Sequence, residues 1–190
     1  MTLDEIDRIR ESFVHTSEGV SAEVAALMTV LKFHGLEKET DAKQLTEWCG
    51  TDEKGNIGIG NINKAATRMG MQTEVCLLKV EELAELKLPL ILFMWSEFGK
   101  PVYDVCYGIH EGRFILWDSD WGGPRQYWPS EMEILWIDGI ALRLYLTPEL
   151  MTKVDYHIKW WQYYDWTKWL KHRIDSIVKF VQLEIIPKFR

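Results

Sequence analysis

The residue types that could support nucleophilic or metal chemistry in this 190-residue chain are three cysteines and a small set of histidines and carboxylates. Cys49, Cys76 and Cys106 form no Cys-x-x-Cys pair and lie at no zinc-ligand spacing from a histidine. Asp118 and Asp120 offer two carboxylates, whereas calcium takes about six to eight oxygen ligands. The pattern therefore predicts buried free thiols, with no metal and no cofactor.

The strongest helical pattern lies over residues 21–34, and Gly35 ends it. Apolar side chains recur along one face of this helix: Val24, Leu27, Met28, Leu31 and Phe33. The pattern predicts a helix whose apolar face packs on the core.

The rest of the pattern places helices before strands. Thr2 and Glu5 form a capping box for a first helix over residues 3–13. Further helices are predicted over residues 40–48 and 57–69, with short ones over 80–86 and from Pro129. Strands are predicted over residues 71–77, 89–95, 102–108, 113–118 and 140–146. Helices first and antiparallel strands second indicate an α+β fold.

The helix at 21–34 resembles the nucleophile helix of a papain-like cysteine peptidase of the C39 family, which includes the C39-like domains of type I secretion ABC exporters. In that family the helix opens Asp-Cys-Gly, continues Ala-x-Leu and ends with an aromatic residue and Gly. Ala25-x-Leu27 and Phe33-His34-Gly35 match the last two features. Counting back from Gly35 places Ala22 at the cysteine position, and a methyl group cannot attack a carbonyl.

The resemblance carries over to the other catalytic positions only in part. The histidine position falls on Val102, or on Pro101 with a one-residue shift, and the oxyanion glutamine falls on Thr16. Asp118 keeps the aspartate of the family's Asp-Pro pair, with Ser119 in place of proline. The resemblance thus implies a papain-like fold with N-terminal helices packed on an antiparallel sheet, and a naturally inactive member of the family.

Two alternatives concern chemistry at other residues. A cryptic hydrolase could use Cys106, Ser21 or His15 as its reactive group. Asp104 has the strand parity of Val102 and would place a carboxylate at the old cleft, where it could bind a cationic or amide ligand; the other interpretation is a solvated strand end.

Tryptophans near the strand ends suggest how a former peptidase cleft would hold an extended peptide. We predict a ligand-binding set of Asp104, Asp118, Trp121 and Trp128. The alternative is that these tryptophans fill the core, which we expect for Trp95 and Trp136.

Charge divides the chain in two. Residues 1–150 carry 14 Lys/Arg against 25 Asp/Glu, and residues 151–190 carry 8 against 4, so an acidic body is followed by a basic tail. The acidic body argues against a nucleic-acid partner, because phosphate contacts need basic side chains. We therefore predict a C39-like domain over 1–150 and a separate segment over 151–190.

The basic tail has the composition of an amphipathic, tryptophan-rich helix. Such a helix fits a membrane interface, where indoles lie at headgroup depth and basic residues meet anionic lipid. The predicted contact residues are Trp160, Trp161, Trp166, Trp169, Lys168, Lys171 and Arg173. The alternative is packing on its own domain or on a second copy, so a homo-oligomer stays open.

Together these patterns favour an inactive binding module that engages a polypeptide or secretion substrate and contacts a membrane surface or transporter. The chain shows neither a signal-peptide layout nor a run of about 20 apolar residues, so we expect a cytoplasmic protein, peripheral at the inner face of the membrane. A structural subunit that uses the tail as an interface is a further alternative.

Overall fold

The computed structural model describes residues 3–16, 20–36, 41–51, 56–86, 89–119 and 122–151. In chain order the elements are α1 (Leu3–Ser12), α2 (Ala22–Phe33), α3 (Ala42–Cys49), α4 (Ile59–Arg68), β1 (Gln72–Leu77), α5 (Val80–Ala84), β2 (Leu90–Trp95), β3 (Pro101–His110), β4 (Arg113–Asp118), β5 (Gly123–Tyr127), α6 (Pro129–Leu135), β6 (Trp136–Tyr145) and α7 (Pro148–Met151). Four helices precede the first strand, and the predicted α+β class is confirmed.

The strands form one sheet in the order β1-β6-β2-β3-β4-β5, and every neighbouring pair is antiparallel. Strands β2 and β3 lie in its centre, where Leu90 to Trp95 pair in unbroken register with Cys106 back to Pro101. Their apolar residues are buried on both faces, which is why residues 90–94 form an unbroken apolar run in the sequence.

The two faces of the sheet have different helical covers. On one face Tyr107 of β3 meets α1 and α2: its hydroxyl lies 2.8 Å from Ser12 Oγ, and its ring centroid lies 5.4 Å from that of Phe33. On the other face Val102 and Cys106 share an apolar cluster with Leu83 of α5 and Met132 of α6, among others. Alternate residues of β3 therefore point to different layers.

Helix α2 is the most deeply buried element on the first face. Val24, Leu27 and Leu31 have no exposed surface. The Oγ of Ser21 accepts a hydrogen bond from the Val24 amide at 3.4 Å and caps the first turn. At the other end Gly35 has φ +73°, which suits glycine, and the Leu36 amide donates to Leu31 O at 2.9 Å.

The sequence did not predict two parts of the sheet. No strand was predicted over residues 123–127, where β5 lies, and β6 begins at Trp136 instead of residue 140. β5 contains Pro124, Arg125 and Gln126, so it lacks the apolar alternation that marks a half-buried strand. It forms because its backbone pairs with β4, from Phe114↔Tyr127 to Asp118↔Gly123.

Several predictions lie outside the described residues. They are the Thr2 cap and the helix predicted over 151–190, with all of its proposed contact residues. No helix in the described part of the chain is both long and apolar enough to cross a membrane.

His34 is a buried titratable group at the end of α2. It is 6% exposed, and its Nε2 has no hydrogen-bond partner within the described ranges. Burial, and then the charge of Arg8, lower the pKa of His34 from 6.5 to about 3. Arg8 itself lies 4.0 Å above the Phe33 ring and donates its Nε to Phe33 O at 3.2 Å, so α1 holds this cation in place.

We predict that His34 makes the fold sensitive to acid. The unfolded chain binds a proton at His34 below pH 6.5, whereas the folded chain binds it only near pH 3. The stability that neutral His34 contributes is therefore complete above pH 6.5 and is lost as the pH falls toward 3. His34→Gln should remove up to about 1.4 kcal/mol per pH unit from the slope of unfolding free energy against pH in that window. Urea unfolding between pH 4 and pH 7 measures the slope, with His110→Gln as the control. Parallel curves for His34→Gln and the unmodified chain would refute the prediction.

Candidate functional site

The amino end of α2 is the position at which a nucleophile would be activated. A thiol there would meet the positive end of the helix dipole, which lowers a thiol pKa. Ala22 is the first residue of α2 and is partly buried, and its methyl group offers neither a nucleophile nor a proton. The neighbouring Ser21 hydroxyl accepts the cap hydrogen bond from Val24, which gives this side chain a structural role.

Tyr103 lies on the same face of β3 as Tyr107, which is the face that packs against α2. Burial, and then the charge of Glu23 in the first turn of α2, raise the pKa of Tyr103 above 10, while a hydrogen bond with the Ile59 backbone opposes the shift. Its ring stacks on Phe93 with centroids 5.1 Å apart. Tyr103 therefore stays protonated near pH 7 and does not serve as a general base there.

Val102, the residue counted into the histidine position, lies on the other face of the sheet. It pairs with Met94 across β2 and β3, and both belong to the apolar cluster under α5 and α6. Pro101 is exposed at the start of β3, opposite Trp95. The assignment of Val102 to that family position stays a prediction, and neither residue carries a titratable group.

Thr16 and His15 are both exposed after α1. The His15 ring lies beside the connection between β4 and β5, because a Cβ atom on Gly122 would stand 3.4 Å from His15 Nδ1. The oxyanion role of the Thr16 position is not tested by this geometry and stays a prediction.

The three cysteines are free. Burial raises the pKa of Cys106 to about 12, and burial followed by the charge of Glu23 raises that of Cys49 to about 11. Burial also raises the pKa of Cys76. Since the thiolate is the nucleophile, these thiols are poorly reactive near pH 7.

Asp104 of β3 and Asp118 at the carboxyl end of β4 lie on neighbouring strands, and both residues are buried. Asp104 Oδ1 accepts hydrogen bonds from the Ser119 amide at 2.9 Å and from Ser119 Oγ at 3.0 Å. Asp118 Oδ2 accepts one from the Tyr127 hydroxyl at 2.8 Å, and Arg125 Nη1 lies 3.4 Å away. The two carboxylates thus hold the end of β4 against β3 and β5.

Arg125 extends this network to the turn between β2 and β3. Its Nη1 lies 2.6 Å from Glu97 Oε1, and this hydrogen bond is the largest of the effects that raise the pKa of Arg125. Burial, together with the charges of Asp118 and Asp104, raises the pKa of Tyr127 despite the opposing Arg125. The arrangement is that of a structural clamp, and ligand binding by Asp104 or Asp118 stays a prediction.

The tryptophans differ in exposure. Trp128 is 48% exposed and lies beneath the Arg113 guanidinium, whose carbon is 4.3 Å from the ring centroid. Trp136 is buried and donates its Nε1 to Ile140 O, as expected for a core residue. Trp95 was expected in the core, which is wrong: it is 45% exposed at the end of β2. Trp121 lies outside the described residues.

Comparison with family models identifies the scaffold. The model of the peptidase C39 family matches residues 10–148, which is most of the chain. The chain belongs to the peptidase C39 family. The match ends close to the boundary predicted at residue 150, which itself stays a prediction. The comparison with curated proteins found no match.

Three solved C39 domains share the fold. The peptidase domain of Streptococcus ComA, a bi-functional ABC transporter involved in quorum sensing, has a TM-score of 0.61 and 20% identity over 70% of this chain and 97% of that one. A double-glycine-motif protease from an AMS/PCAT transporter, solved in complex with the leader peptide, has a TM-score of 0.59 and 21% identity. The match covers 70% of this chain and 90% of that one. The C39-like domain of a toxin-secretion ATP-binding protein from Vibrio parahaemolyticus has a TM-score of 0.54 and 17% identity. The match covers 67% of this chain and 98% of that one. The predicted papain-like C39 fold is confirmed.

Sequence reasoning missed two features of this site. One is Tyr103, because counting along a strand does not show which face a residue occupies. The other is the clamp between Glu97, Arg125 and Asp118: the pairing of β5 with β4 brings Arg125 to Asp118, and Glu97 reaches them from the turn between β2 and β3. The single charge in the Pro-Arg-Gln part of β5 gave no signal that could have found it.

We predict that Tyr127→Phe destabilises the domain by about 1.5–3 kcal/mol, because it removes a hydrogen bond from a buried carboxylate. Tyr145→Phe is the matched control: its hydroxyl donates to the exposed Glu74 at 3.2 Å, so it should cost less than about 1 kcal/mol. Urea unfolding of both variants at pH 7 measures the difference. Equal losses of unfolding free energy in the two variants would show that the hydrogen bond from Tyr127 to Asp118 adds no more stability than the exposed one.

Proposed function

We propose that this C39-family domain binds an extended polypeptide in the cleft at the amino end of α2 and does not cleave it. The observation that carries the proposal is Ala22 at the first position of that helix, with Val102 at the position counted for the histidine. Acyl transfer by a cysteine peptidase needs a thiolate and an imidazole to accept its proton, and neither side chain supplies one.

Three described residues that could substitute for the missing pair are poorly placed for that role. Cys106 is fully buried with a pKa of about 12, and the Ser21 hydroxyl is engaged as the helix cap. His15 is exposed beside Gly122, at the turn between β4 and β5. These placements support an inactive domain over the cryptic hydrolase.

A polypeptide ligand is supported by the family and by the exposed aromatic surface. One related C39 protease has been solved with a leader peptide, and the others named above are domains of transport or secretion proteins. Trp95 is 45% exposed at the end of the strand whose Phe93 ring stacks on Tyr103, so it presents an aromatic face at the end of the sheet where β3 begins. We therefore propose a secretion or export substrate as the ligand and an ABC transporter as the setting.

A labelled leader peptide ending in two glycines tests binding and cleavage together. We expect fluorescence polarisation to show saturable binding, and mass spectrometry to show intact peptide after prolonged incubation. Ala22→Cys should bind as well as the unmodified chain and still leave the peptide intact, because Val102 and Pro101, at the positions counted for the histidine, cannot accept the thiol proton.

The control for the binding surface is a pair of aromatic substitutions. Trp95→Ala should weaken binding by about tenfold, since an exposed aromatic anchor is lost, whereas Trp128→Ala, at a similarly exposed site beside the β3–β4 turn, should leave it unchanged. Cleavage by the unmodified chain would refute the inactive domain, and an absence of binding would refute the peptide ligand.

We further propose that residues 151–190 attach the domain to a membrane surface or transporter. This rests on composition: four Trp and three Tyr within residues 156–169, and a net charge of +4 for the segment. Under this proposal the protein lies at the inner face of the membrane. The same segment serving as an interface between subunits is the competing proposal.

Vesicle flotation of the full chain tests the membrane contact. Reversing Lys168, Lys171 and Arg173 to Glu should reduce binding to vesicles with anionic lipid by at least about tenfold, because each cation near such a surface contributes about 1 kcal/mol. The control reverses three exposed cations of the body, Lys43, Lys64 and Arg68, and changes the net charge equally. Equal flotation of the two triple variants would refute a specific contact through the tail.

A further inference from the structure

β1 is an edge strand without the features that usually protect an edge. Within the described part of the chain its one strand neighbour is β6, and all six of its residues pair in continuous register from Gln72↔Tyr145 to Leu77↔Ile140. It contains no proline, lysine or bulge. The outward N–H and C=O groups of such a strand are a template for another strand.

The opposite edge of the sheet differs. β5 carries Pro124, which donates no hydrogen bond, and Arg125, whose charge is held by Glu97 and Asp118. Proline and charge at an edge discourage strand addition. Of the two described edges, β1 is therefore the open one.

One face of β1 carries an uncovered apolar strip. Thr73, Val75 and Leu77 point to the same side because side chains alternate along a strand. Helix α4 reaches only the first of them, where the Thr67 and Thr73 hydroxyls lie 3.3 Å apart. Beyond it Val75 is 47% exposed and Leu77 is 73% exposed. An added strand would cover both with its own alternate side chains.

The opposite face of the β1 edge is acidic, because Glu74 alternates with Val75 and helix α5 lies on that side of the sheet. Glu74 forms an ion pair with Arg143 at 3.4 Å. Glu81 and Glu82 lie in the first turn of α5, and Lys79 precedes that helix as its N-cap. Asp138 is exposed just before Gly139, whose carbonyl oxygen accepts a hydrogen bond from the Leu78 amide at 2.9 Å. Carboxylates thus outnumber cations at the carboxyl end of β1, and a basic partner complements them.

We propose that the β1 edge accepts an extended, basic segment of a partner polypeptide, which adds to the sheet as a further strand and places apolar side chains on Val75 and Leu77. Backbone hydrogen bonds to β1 supply affinity, and the acidic rim with the apolar strip selects a segment in which basic and apolar residues alternate. This site is distinct from the cleft at the amino end of α2.

The probe is an acetylated eight-residue peptide of alternating Lys and Val, with an alternating Glu–Val peptide for comparison. We expect the Lys–Val peptide to bind the full chain and to slow amide hydrogen exchange in residues 72–77, and the Glu–Val peptide to bind at least about tenfold more weakly. Leu77→Lys should weaken Lys–Val binding by about tenfold or more, because it removes the apolar contact and adds a like charge.

Phe98→Lys is the matched control, since Phe98 is 77% exposed and lies at the turn between β2 and β3. It adds the same charge and should leave binding within about twofold. Val75→Lys is the second test variant, and circular dichroism checks that each variant is folded. Equal binding by Leu77→Lys and Phe98→Lys, or slowed exchange outside residues 72–77, would overturn the proposal.

Two other occupants of the edge give different results. A second copy would slow exchange in residues 72–77 as protein concentration rises without any peptide. The chain's own residues 152–190 would slow exchange independently of concentration, and removing those residues would restore it. Either result in place of peptide binding overturns the proposal.

Discussion

The burial of α2 against β3 is the constraint on which the rest of this domain depends. Its apolar residues from Val24 to Leu31, except the partly buried Met28, are shielded from water, and Phe33 at its last turn meets Tyr107 at the far end of β3. Full burial of a Leu or Val side chain contributes roughly 1.5–3 kcal/mol, so a displaced α2 would cost more than a domain of this size can lose. The helix therefore has one position, and its amino end is always presented at the same point on the sheet.

The position of the amino end of α2 does not depend on whether its first residue is reactive. In a cysteine peptidase the helix end supplies a dipole to a thiol; here it supplies the same dipole to a methyl group. The polar residues of the sheet have hydrogen bonds within the protein: Asp104 accepts from Ser119, and Asp118 accepts from Tyr127 with Arg125 close by. If the proposed function holds, the fold has kept the shape of a peptide cleft while its carboxylates stabilise strand ends.

The sequence predicted the helices and central strands well, because each has a local signal. α2 has a cap at Ser21 and a stop at Gly35, and β2 is an unbroken apolar run. β5 and the first half of β6 escaped prediction, since their strand character comes from pairing with β4 and β2. The exposure of Trp95 was predicted wrongly for the same kind of reason: an apolar residue at a strand end is buried only if another element covers it.

The sequence by itself determined the family scaffold, the unreactive methyl side chain at Ala22 and the charge contrast between body and tail, because residue identity and local periodicity are sufficient for each. The tertiary structure decided which side chains meet. It put Tyr103 on the face that packs against α2 while Val102 faces the opposite layer, it joined Glu97 to Arg125, and it placed β1 at an edge of the sheet formed by the described strands. These depend on strand register and layer, which are set by contacts between distant segments, and a one-residue difference in register reverses the face on which a side chain lies.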